Sequence, residues 1–163
     1  MTIALTVHIR RDAQVPTSPF TEYFQGFEHV EAVQQLFGAQ TEEVLQQLRV
    51  EFRSGRGYMG VSSEDGHIRI NAHYLNTGRF IDLYLDIIHE LVHVRQFLDG
   101  RELRDPHYAY VDRPTEVEAF QYTVTEAQRL GLTEPQILEY LRTEHMSDEQ
   151  FHRLTRAVKI SRC

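Results

Sequence analysis

The sequence predicts an α+β fold, with a small, mostly antiparallel sheet packed on one central helix and a helical C-terminal half. Three observations predict it. Short β-rich segments separated by turn residues run as far as Ile70, a long apolar helical pattern spans Phe80 to Gly100, and helical periodicity governs the residues beyond Gly100. At 163 residues, 41% hydrophobic and 25% charged, the chain suits one globular domain over 1–163.

From Thr2 to Arg11 the alternation of Ile3, Leu5, Val7 and Ile9 predicts a half-buried strand, and the Pro16–Pro19 segment breaks it. Phe24, Phe27, Val30, Val33, Leu36 and Phe37 predict a helix, or two short ones, over Glu22 to Phe37, with Gly38 as the stop. Thr41 then opens a short helix through Leu48 as its N-cap. The period changes next. Val50 with Phe52, Tyr58 to Val61, and Ile68 with Ile70 predict short strands, the last two joined by the turn residues Ser62 to Gly66.

The Phe80–Gly100 stretch is apolar on almost every side, which predicts a buried helix, capped by Asn76 or Thr77 and ended by Gly100. It is too short, and too interrupted by charged residues, to span a membrane. A polar, aromatic loop leads to a helix with Pro114 in its first turn that ends at Gly131; Thr133-Glu134-Pro135 and the capping-box-like Ser147-Asp148-Glu149-Gln150 start the last two.

Within the central helix lies His89-Glu90-Leu91-Val92-His93. Residues four apart on a helix are separated by roughly 6 Å of rise and about 40° of rotation, so both imidazoles reach one metal ion. Glu90 sits about 100° further round, placed to address a water on that metal rather than to ligate it. A hydrolytic zinc site needs this arrangement together with a third protein ligand and an open position. No third histidine follows closely, but the helix after the loop carries Glu116 and Glu118. They lie about 200° apart around that helix, so only one faces the metal. Glu116, which shares a face with Ala119, Phe120 and Thr123, is favoured over Glu118. The expected cofactor is one Zn²⁺ per chain, with Mn²⁺ as an alternative.

The formal net charge of −7 and pI near 5.7 argue against nucleic acid as a partner. The one cysteine, Cys163, rules out an internal disulfide. The N-terminal residues lack a signal-peptide pattern, which leaves a cytoplasmic location as the expectation.

His89-Glu90-x-x-His93 followed by a helix bearing Glu116-x-x-Ala119 resembles the gluzincin metallopeptidases. The short gap from Val94 to Thr115 is similar to that of the small single-domain minigluzincins and related bacterial regulatory proteases. The resemblance covers Tyr58 to Leu130 and is specific at the metal site alone. It implies a zinc-dependent endopeptidase with His89, His93 and Glu116 as ligands, Glu90 as general base, and a peptide or protein substrate paired along Gly57 to Val61. Many gluzincins carry an Asp four residues after the ligand glutamate to orient the first histidine. Phe120 stands there in this chain, which leaves Asp86 as the candidate partner for His89. Candidate donors to the reaction's oxyanion are Tyr108, Tyr110, His107 and Arg113. Three rival readings stand beside this one: a hydrolase of non-peptide bonds, a regulatory protein with a structural metal, and a latent protease, blocked by its own N-terminal segment or tail. In that last case Cys163 could reach the metal.

Overall fold

A computed structural model describes residues 6–143, 146–158 and 160, and its architecture is α+β. The first half alternates short elements: β1 (His8–Ile9), β2 (Thr17–Pro19), α1 (Phe20–Tyr23), β3 (Phe24–Gln25), α2 (Glu31–Phe37), α3 (Thr41–Gln47), β4 (Arg49–Arg53), β5 (Met59–Val61) and β6 (Ile68–Asn71). Helices α4 (Ala72–Thr77), α5 (Phe80–Leu98), α6 (Pro114–Arg129), α7 (Glu134–Leu141) and α8 (Asp148–Ala157) complete it.

The main sheet has the order β2-β4-β6-β5, with β4 and β6 parallel and the other two pairings antiparallel; β1 and β3 pair separately. Val50, Ile68 and Ile70 bury one face of the main sheet, while Glu51, Arg69 and Gly60 share the other. Of the strand expected from Thr2, only His8–Ile9 forms among the described residues; residues 1–5 and Cys163 lie outside them.

Three expectations need correction. Glu22 to Phe37 is not helical throughout, because Phe24–Gln25 pairs with β1 as β3 between α1 and α2. Asn76 and Thr77 do not cap the central helix but belong to α4, which Asn71 caps through Tyr74 N–H. Gly78 then separates α4 from α5, whose N-cap is Arg79. Thr41 is the first residue of α3 rather than its cap, and its hydroxyl donates to the Gly38 carbonyl at 2.6 Å. Both central helices end as their glycines predict. Gly100 and Gly131 take positive φ, and the next N–H in each case reaches back to the carbonyl of Gln96 or Ala127, a Schellman closure.

Apart from partly exposed Asp86, helix α5 is buried from Leu83 to Val94 and packs along α6, on which Ala119 is fully buried one turn after Glu116. Its C-terminal end is held against the β5–β6 turn, where Phe97 lies over Gly66. A Cβ at Gly66 would meet the Phe97 ring at 2.6 Å, and the residue has a φ of +79°. Gly66→Ala therefore combines left-handed backbone strain with a ring displacement. It is expected to lower stability by about 2 kcal/mol, checked by urea unfolding.

Candidate metal centre

His89 and His93 lie one turn apart on α5, and the α5–α6 packing sets Glu116, in the first turn of α6, opposite them. Glu116 Oε1 is 3.0 Å from His89 Nε2 and 3.1 Å from His93 Nε2, and the two Nε2 atoms are 3.2 Å apart. All three residues are buried. Ligand atoms about 2.0–2.1 Å from a tetrahedral ion stand roughly 3.4 Å from one another. A triangle with edges of 3.0 to 3.2 Å, built from two imidazoles and a carboxylate, therefore fits a divalent metal ion.

Charge supports the same fit. Burial would raise the Glu116 carboxyl, but His89 and His93 more than offset it and hold Glu116 well below the ordinary range. Burial likewise pushes His93 down, and Glu116 and Glu90 more than reverse that, to about 9. The cluster thus favours positive charge at its centre.

Gln96 fixes the orientation of His93. Its amide nitrogen donates to the Thr115 carbonyl and to Glu118 Oε1, both at 3.0 Å, so Oε1 is the atom that faces His93 Nδ1 at 2.7 Å. Nδ1 must then carry a proton and donate, which leaves Nε2 as the atom directed at the triangle, its lone pair open to a metal ion that displaces the second proton. Glu118 is held in turn by Arg101 at 3.0 Å. The two glutamates of the first turns thus divide: Glu116 enters the centre, while Glu118 braces the glutamine behind it. The sequence holds a signal for Gln96, a polar residue in a buried apolar helix one turn after His93.

His89 is positioned differently. Asp86 does not reach it; that carboxylate accepts from Tyr140 at 2.7 Å and from Tyr74, tying α7 and α4 to α5. Burial holds Asp86 above its ordinary range. The His89 ring instead packs edge-on against Phe120, with centroids 4.5 Å apart, and against His93 at 4.8 Å. Its Nδ1 is buried with no hydrogen-bond partner. Phe120 therefore holds by shape the ring that an aspartate would hold by a hydrogen bond.

The centre opens into a cleft of about 230 Å³ lined by β5 and by Glu90, Leu103, Arg104, Tyr110 and Arg113. Glu90 is buried, its Oε2 has no hydrogen-bond partner, and burial holds its carboxyl above the usual range. Tyr110 lines the cleft although 44% of the residue is exposed. Burial and the Glu116 charge raise its phenol. Arg113 is also there, with a buried Nε lacking a partner. The other two candidate donors lie elsewhere: His107 is exposed and pairs with Asp105 at 2.7 Å, and Tyr108 is exposed outside the cleft. Arg104, which no pattern in the sequence marks, donates to the Val61 carbonyl at 2.8 Å.

β5 is an edge strand. Tyr58 and Ser62 turn their backbone groups inward to β6, so by alternation those of Met59 and Val61 point to the free edge. No helix among the described residues is long and apolar enough to cross a membrane. No family model, curated protein or solved structure matches the chain, so geometry alone carries the functional reading.

Zinc titration against a competing chelator is expected to give one site per chain, lost in His93→Ala and Glu116→Ala but kept in Glu118→Ala. Gln96→Leu, which leaves His93 Nδ1 without its acceptor, should weaken zinc binding about 10- to 100-fold.

Proposed function

We propose that the protein is a zinc-dependent endopeptidase of the gluzincin type, with His89, His93 and Glu116 holding the ion and Glu90 as general base. The observation that carries this reading is that three ligand atoms and an unpartnered carboxylate oxygen meet in one cleft beside a free sheet edge. A structural metal is normally closed in by four protein ligands, whereas three and an open cleft suit catalysis. A bound zinc ion supplies Lewis-acid polarisation of a carbonyl and brings a water's pKa toward neutrality.

The chain's own groups do the rest. The Met59 main chain and the Val61 N–H offer hydrogen bonds to an extended peptide, the Val61 carbonyl being held by Arg104, and this fixes the scissile bond over the cleft. Glu90, buried and with a free oxygen, takes the proton of the attacking water and passes it to the leaving amine. Its raised proton affinity suits both halves of that transfer. The phenol of Tyr110 and the guanidinium of Arg113 are the donors available to the oxyanion. An endopeptidase of this kind would take unfolded or extended segments of protein, since only such segments pair with an edge strand.

The test is digestion of a disordered protein such as casein, with metal content measured on the same samples. Glu90→Gln is expected to retain one zinc per chain and lose at least about 10³-fold in activity, because the base and its proton relay go together. Full proteolysis by Glu90→Gln would sink the mechanism. Metal analysis of the purified chain separates zinc from manganese.

A further inference from the structure

The metal cleft continues at Met59, Gly60 and Arg104 into a second cavity of about 180 Å³. Four arginines line it, Arg53 on β4, Arg69 on β6, and Arg56 and Arg104 on loops, and no acidic residue does. Its position follows from the sheet register. Arg69 lies across from Gly60 on the outer face, because Ile68 and Ile70 take the inner one. A Cβ at Gly60 would meet nothing within 4 Å, so no side chain of β5 screens Arg69 from the free edge.

The nearest carboxylate neutralises this group only in part. Glu51 accepts from Arg53 at 2.9 Å and from His67 at 3.0 Å, and it lies 3.8 Å from Arg69. Arg56 has no ion-pair partner among the described residues, Arg104 spends one donor on a carbonyl, and Arg69 Nε is buried with no hydrogen-bond partner. In a chain with net charge −7, this is a concave, cation-rich site.

We propose that this cavity is a substrate subsite for an acidic side chain, so that the substrates are peptide segments with Asp or Glu near the scissile bond. The inference rests on the peptidase reading above. A peptide extended along β5 alternates its side chains, and those on the outer face pass over Gly60. Its backbone would stand two strand spacings, roughly 9.6 Å, from that of β6. An arginine and a glutamate side chain span that distance together, and a guanidinium fork binds a carboxylate bidentately.

The test uses quenched fluorescent dodecapeptides blocked at both ends, so that only a side chain carries the anion. One position at a time is occupied by Asp, Asn or Lys. For the zinc-loaded wild type, Asp at one position should exceed Asn by about ten-fold in kcat/KM, as a charge-assisted hydrogen bond requires, with Lys poorest. In Arg56→Gln/Arg69→Gln the Asp-to-Asn ratio should fall to about one, and Arg69→Lys should restore part of it. Arg56→Gln alone, at an exposed loop position, lowers the ratio and serves if the double variant does not fold. Binding of the same peptides to Glu90→Gln, by fluorescence anisotropy, separates the two ideas. Cleavage with no Asp preference at any position overturns the subsite and leaves the peptidase standing. Preferential binding of Asp peptides with no cleavage in the wild type upholds the subsite and overturns the peptidase. Neither cleavage nor preference overturns both.

Discussion

The structure depends on one contact between helices: the Glu116 carboxylate from α6, set within 3.1 Å of two imidazole nitrogens on α5. Buried ionisable groups are costly unless paired or bound to metal, and His89 and His93 supply the pairing that keeps Glu116 ionised. The packing that makes the contact is itself tied to the site. Gln96 donates to the Thr115 carbonyl in the first turn of α6 while it accepts from His93. The residue that sets the direction of one imidazole also pins the start of the helix that brings the carboxylate.

Much of this is legible in the sequence because it is local. Helical spacing places His89 and His93 on one face, and the same spacing separates Glu116 from Glu118, which the structure sends to opposite tasks. The capping box expected at Ser147 forms, and the helix start expected at Thr133 forms with a capping box of its own. What is not legible is nonlocal. Nothing near Asp86 indicates that tyrosines from α4 and α7 will claim it. The parallel pairing of β4 with β6 depends on a hairpin, β5–β6, folding back beside an earlier strand. Helix α4 escapes the sequence pattern because Asn76-Thr77-Gly78-Arg79 reads as a cap and lead-in to the next helix, while a Cβ at Gly78 would meet the Tyr74 ring at 2.7 Å and its carbonyl at 2.8 Å.

Net charge proves a poor guide to local charge. The −7 of the whole chain argues against a general affinity for polyanions, yet arginines gather on one sheet face through strand register. In the sequence only Arg53 and Arg56 form a short group, and Arg69 and Arg104 stand far from it. Alternation sends Arg69 outward because Ile68 and Ile70 go inward, so the same apolar burial that builds the core also assembles this face.

Ala119 carries a consequence of its own. Fully buried on the α6 face that bears Glu116, it sets how closely two helix axes approach, and so sets the edge lengths of the donor triangle. The size of the coordination site is then a property of helix spacing and not of the donors themselves. In this fold one methyl group acts as a gauge: adding volume there would move the carboxylate away from both imidazoles together. Such a change would loosen the hold on a small tetrahedral ion without altering any donor.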